Sequence, residues 1–202
     1  MNEVFENIYS RRSIRNYKPT DMPDDIIREL IKAGTYAPSA MNGQPWRFAV
    51  IKDREMIARL SERAKHLWLD QFGENPDPDA QKVLNVLKTK LNIFYDAPVL
   101  VLIFAAAPAA SNQESFAEAA NRMLQAGCAA AAENMMLAAR SLGIGSCWIG
   151  FGMPLESDRE IRRELNVPEG YRLMAPLIFG YPAKEVQSAP PRNEDVVLKW
   201  IA

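Results

Sequence analysis

Val99–Ala105, VLVLIFA, is apolar at every position. A strand with one wet face alternates polar and apolar residues, so a strand with no polar position is covered on both faces. The longer apolar run, Ala97 to Ala110, falls short of the roughly 20 residues a bilayer requires and is interrupted by proline, which makes it a buried strand with its exit and excludes a membrane span.

The segments on either side supply the covering layers. Val4, Phe5 and Ile8 share one side of a short helix over Asn2–Ser10, and Met22-Pro23-Asp24-Asp25 has proline and carboxylates where a helix begins. Ile26, Ile27, Leu30 and Ile31 recur at helical spacing, and that helix stops by Ala37, before Pro38. Trp46–Ile51 alternates as a strand, Arg54–Lys65 reads as a helix, and 72–79 (FGENPDPD) is a loop rich in helix breakers. A helix over about Ala80–Phe94 is expected to turn Val83, Leu84, Leu87 and Leu91 inward. The longest helix covers about Glu114–Ser141, with Phe116, Ala120, Met123, Leu124, Gly127, Ala131, Met135 and Ala138 on its facing side. A short strand near 145–150, a helix over 158–165 and a strand over 173–179 follow. Residues 188–193 form a proline-stiffened connector, and Val196–Ile201 alternates weakly as a final strand, which is expected to cross to another subunit. The fold class is α+β in one domain.

Composition narrows the function. The 202 residues carry 24 Lys+Arg against 25 Asp+Glu, so no polyanion is implied as the main partner. The N-terminus places acids before its arginines and develops no apolar core, unlike a secretory signal. Two cysteines, Cys128 and Cys147, suit a reducing, cytoplasmic setting and cannot furnish a four-ligand zinc site. HExxH, CxxC, Walker and GxSxG motifs are absent, and the single histidine, His66, sits near the end of a surface-like helix. The Leu142–Trp148 glycines follow a helix, whereas a dinucleotide loop follows a strand.

Three polar groups remain. Arg11, Arg12, Ser13 and Arg15 form a compact cationic cluster, which composition alone favours as a solvated surface and whose planar donors also suit phosphate oxygens. Ser39, Asn42 and Gln44 lead through Pro45 into Trp46; such a loop either reads the edge of a flat heterocycle or simply satisfies its own turn. The Cys147–Gly152 segment exposes backbone N–H groups where glycine permits close approach.

The ordered set Arg11-Arg12-Ser13-Ile14-Arg15, Ala37–Phe48 (APSAMNGQPWRF), Asp96-Ala97-Pro98, Ala138–Gly145 (AARSLGIG), Trp148-Ile149-Gly150 and Phe179–Pro182 (FGYP) resembles the FMN-dependent nitroreductase family. The resemblance implies a three-layer α/β/α sandwich with a mainly antiparallel sheet, a core over 1–187, and a C-terminal extension over 188–202 that contacts the partner of a homodimer. It further implies FMN held at the subunit interface. Arg11, Ser13 and Arg192 would take the phosphate, Arg12 the ribityl-phosphate region, and Arg15 the N1 and C2 carbonyl side of the ring. Pro38, Ser39, Ala40 and Asn42 would come from the other subunit, with Gln44 in the same polar loop, and the backbone at Ile149 and Gly150 would approach N5. No catalytic side chain and no metal are implied. NAD(P)H would reduce the flavin, and nitroaromatics, quinones or similar small molecules would reoxidise it by a ping-pong scheme. Trp68, Phe72 and Phe116 are candidate lid aromatics, with core packing as the other role for Phe116. A specialised flavin enzyme of the same fold and a non-enzymatic flavin-binding dimer are the alternatives. The basic cluster lacks the aromatic platform of a nucleic-acid module.

Overall fold

A computed structural model describes residues 2–75, 77–106, 114–184 and 188–201. The expected exit of the apolar run over 107–110 and the expected end of the core at 187 lie outside the described residues. Among the described residues six α-helices, α1 (Glu3–Ser10), α2 (Asp24–Thr35), α3 (Arg54–Phe72), α4 (Pro78–Thr89), α5 (Glu114–Ser141) and α6 (Arg159–Glu164), surround β1 (Trp46–Ile51), β2 (Val99–Ala106), β3 (Gly145–Trp148) and β4 (Tyr171–Gly180). The strands form one sheet in the order β1-β2-β4-β3, antiparallel throughout.

The apolar strand β2 lies inside that sheet and serves two cores. Val99, Val101, Ile103 and Ala105 face α2 and α5, meeting Ile27, Leu30, Ala131 and Met135. Leu100, Leu102 and Phe104 face the other way, toward Leu60 and Ala64 of α3, Leu87 of α4 and Ile161 of α6. Alternation along a strand sends neighbours to opposite faces, so burying both faces requires an apolar residue at every position. The result is the three-layer α/β/α arrangement.

Local chemistry sets the element ends. Asp53 caps α3 by accepting from the Met56 N–H at 2.9 Å, and α3 runs on past the expected end at Lys65 to Phe72. Leu67 and Trp68 continue its apolar stripe against the second core, which places Trp68 and Phe72 on a helix rather than a loop. Asp77 and Pro78 start α4 two residues early. The helix ends at Thr89 because the Ile93 N–H donates to Ser61 Oγ at 2.9 Å, drawing the chain into the core as a turn. Of the four residues expected inward, Leu84 and Leu87 are buried, whereas Val83 and Leu91 face solvent.

The C-terminal segment pairs with no strand of its own protomer among the described residues. Residues 188–201 have no regular structure, and the hydrogen bonds described within them are local, Asp195 N–H to Asn193 Oδ1 and Val196 N–H to Glu194 O. A strand exists only against a partner strand. Val196, Leu198, Trp200 and Ile201 are consequently exposed.

Candidate functional site

Residues 13–17 run along the outer edge of β3. Ser13 bridges Ser146 in parallel and Tyr17 bridges Pro182. The Ile14 N–H donates to Ser146 O at 2.9 Å, and the Lys18 N–H to Tyr181 O at 2.8 Å. Gly145 lets Ile14 sit this close, since a Cβ there would lie 2.9 Å from three Ile14 side-chain carbons. The segment separates two cavities.

The first, about 320 Å³, is lined by Ser10, Arg11, Arg12, Arg140, Ser146 and Lys184, among others. Arg11 Nε donates to Glu133 of α5 at 3.1 Å. Arg12 donates through one terminal nitrogen to the Tyr9 and Arg11 carbonyls at 2.6 and 2.7 Å. Its Nε is buried with no hydrogen-bond partner among the described residues. Arg140 Nε donates to Ser10 Oγ at 3.0 Å. These geometries give the space a positive field and several donors, the requirement for holding an anion.

The second cavity, about 490 Å³, is lined by Arg15, Trp68, Tyr95, Trp148, Ile149, Gly150 and Phe151. Aromatic walls with one cation suit a flat, polar-edged ring. The Ile149 N–H is engaged by Pro176 O at 2.9 Å, and its side chain is buried. Gly150 is the outward residue of this pair: it is exposed, and the space around its Cα is open. Trp68 Nε1 donates to Phe151 O at 3.0 Å and braces this wall.

The polar loop lies elsewhere. Ser39 Oγ accepts the Gln44 N–H at 3.0 Å, and Met41, Asn42 and Gln44 hold positive φ between 42° and 55°. Asparagine tolerates that region; methionine and glutamine occupy it at a cost of order 1–3 kcal/mol each, the kind of strain concentrated at ligand sites. Pro38, Ala40, Asn42 and Gln44 are exposed. Ser39 and Ala40 join Phe116, Ala120, Met123 and Leu124 of α5 around a separate, largely apolar cleft of about 260 Å³. Phe116 is therefore not core; it is 63% exposed. The chain thus gathers Arg11, Arg12, Ser13, Arg15, Ile149 and Gly150 along one edge, while 38–44 and the tail residue Arg192 are not joined to them within the protomer.

Three ionisable groups, two of them behind this edge, are held neutral by burial. Burial, reinforced by Cys147, drives the Tyr17 hydroxyl far above its ordinary value, and that hydroxyl donates to Ile14 O at 2.6 Å. Burial raises the Cys147 thiol despite the opposing pull of Arg15. Cys128, in the core, is pushed up to about 11 by burial.

A family model described as the nitroreductase family matches residues 8–181. The chain belongs to the nitroreductase family. Within that family it is 33% identical over 186 residues to an Archaeoglobus fulgidus protein named for NADH dehydrogenase and NAD(P)H nitroreductase activity, covering 92% of this chain and 88% of the relative. It is 29% identical over 202 residues to an iodotyrosine deiodinase of Thermotoga neapolitana, covering 98% and 97%. The structure of a Bacteroides fragilis nitroreductase with bound FMN superimposes with a TM-score of 0.78 at 29% identity, over 100% of both chains.

Within this nitroreductase-family fold, two residues lining the cavities had no distinguishing signal in sequence. Lys184 and Tyr95 each sit in an ordinary local context, and only the packing of the end of β4 and the turn after α4 onto the edge segment brings them there.

Proposed function

We propose that this chain is an FMN-dependent oxidoreductase that takes reducing equivalents from NAD(P)H and passes them to nitroaromatic, quinone or similar small acceptors. The observation that carries it is the pair of cavities flanking Ser13–Arg15, one cationic and one aromatic-walled. The residues fit the group: a buried Arg12 Nε lacks a partner among the described residues, and a glycine facing open space borders the aromatic cavity. Bound FMN would supply the two-electron redox chemistry.

The protein's share is binding, orientation and charge. Arg11, Arg12 and Ser13 would hold the phosphate end. Arg15 places positive charge in the aromatic-walled cavity, where it favours a reduced, anionic ring. Gly150 offers its N–H and leaves room for close approach, in place of the already engaged Ile149 N–H. Donor and acceptor would use the same open cavity in succession, a ping-pong order that needs no acid–base side chain. The working unit would be a homodimer in which the partner supplies the 38–44 loop, and residues 188–202 would lie across the partner, bringing Arg192 to the phosphate. Exposed Val4, Phe5, Met41, Phe116 and Met123, with the apolar tail, support such an interface. A cytoplasmic location accords with two free thiols.

An anaerobic absorbance spectrum of the FMN-reconstituted protein, before and after NADH and then NADPH, tests this. Bleaching of a protein-bound flavin band is expected. Failure to bind flavin would overturn the cofactor assignment, and bound flavin that neither donor reduces would overturn the donor. The similarity to a deiodinase favours one second reading, a specialised reductive enzyme on a halogenated or heterocyclic metabolite. A narrow acceptor profile would select it.

A further inference from the structure

We infer that Arg140 and Lys184 complete the phosphate-binding end of the cofactor site, together with Arg11 and Arg12; the inference rests on the flavin reading above. Four cations line one cavity of about 320 Å³. Among the described residues, only Arg11 has a carboxylate within salt-bridge distance, Glu133. Three positive charges face a common space with no described carboxylate paired to them, and their summed field favours an anion there.

Helix capping does not account for the set. Arg12 does cap α1, through its bonds to the Tyr9 and Arg11 carbonyls, but the same side chain leaves Nε buried and without a partner among the described residues. Lys184 belongs to neither helix. It follows β4 and is delivered to the cavity by the Tyr17–Pro182 bridge and the bond from the Ala183 N–H to Asn16 O at 3.0 Å. Arg140, the only basic residue in the last turn of α5, is steered by Ser10 Oγ at 3.0 Å. A phosphate monoester carries close to two negative charges at neutral pH and three acceptor oxygens, matching this excess of charge and donors.

The test compares FMN with riboflavin, which has the same ring and no phosphate, by flavin fluorescence titration of full-length protein. Lys184→Ala and Arg140→Ala should each weaken FMN about 10-fold and leave riboflavin affinity unchanged, while Lys184→Arg and Arg140→Lys retain most FMN affinity. Thermal midpoints identify any loss of fold, and Lys184, which makes no side-chain bond among the described residues, is the cleaner site. Unchanged FMN affinity in the double alanine variant, or equal losses for FMN and riboflavin, would overturn the inference. If the wild-type protein bound neither flavin, the cofactor reading itself would fall, a result distinct from normal FMN binding that the variants leave untouched.

Discussion

The indole N–H of Trp68 donates to the carbonyl of Phe151 at 3.0 Å, fastening α3 to the chain immediately after Gly150. The two rings also meet edge to face, with centroids 6.1 Å apart. One residue thus braces the wall of the aromatic cavity through a polar and an apolar contact.

Trp68→Phe keeps a ring and removes the donor. It should cost about 1 kcal/mol of stability and weaken FMN several-fold, because the backbone beside Gly150 loses its anchor. Thermal melts and flavin titration check this, and unchanged FMN affinity would remove Trp68 from the site's support.

Gly145→Ala is expected to act on flavin binding without touching the ligand. The new Cβ would lie 2.9 Å from Ile14 Cβ, Cγ1 and Cγ2, and overpacking of this kind costs about 1–3 kcal/mol. Relief requires moving Ile14 off the β3 edge, carrying Ser13 and Arg15 with it. FMN affinity should therefore fall along with the thermal midpoint. A variant that melts early yet binds FMN normally would contradict the coupling.

Asp158 is buried, caps α6 through the Glu160 and Ile161 N–H groups, and pairs with Arg63. Burial alone would raise its pKa, but the bond from Arg63 and those backbone donors outweigh it and hold the carboxyl below its ordinary value of 3.8. A depressed folded pKa gives stability that is complete above the unfolded value and is lost as pH falls through the lower folded one. Asp158→Ala should cost about 2 kcal/mol at neutral pH. Asp158→Asn should flatten the acid limb of the melting-temperature profile while keeping the cap, and an unaltered limb would refute the assignment.

Cys128 and Cys147 are both buried with raised thiol pKa values. Only a thiolate attacks an alkylating agent, so native protein at pH 8 should resist iodoacetamide at both positions and react at both in urea. Mass spectrometry of the labelled protein decides it, and rapid native labelling would show that the β3 edge opens.

The elements most legible in sequence were those whose pattern is local. The bounds expected for β1 were those found, and β2 announced its two covered faces by lacking any polar residue. Errors arose where a distant partner set the outcome. Ser61 captures the Ile93 N–H and ends α4, which no window around Leu91 reveals. Val196–Ile201 is a different case: its alternation calls for a neighbouring strand, and the protomer supplies none among the described residues. At the site, Arg11 and Arg15 could be picked out because they cluster in sequence. Lys184 could not, because it reaches the cavity of Arg11 only through the pairing of Tyr17 with Pro182.

That pairing, with the Ser13–Ser146 bridge, also covers the rim of the sheet at β3, whereas β1 at the opposite rim pairs only with β2 among the described strands. A sheet that can be lengthened on one side only cannot be tiled end to end. Two molecules that met along β1 would each use up that edge, so such an association would terminate at a pair instead of propagating into a fibre.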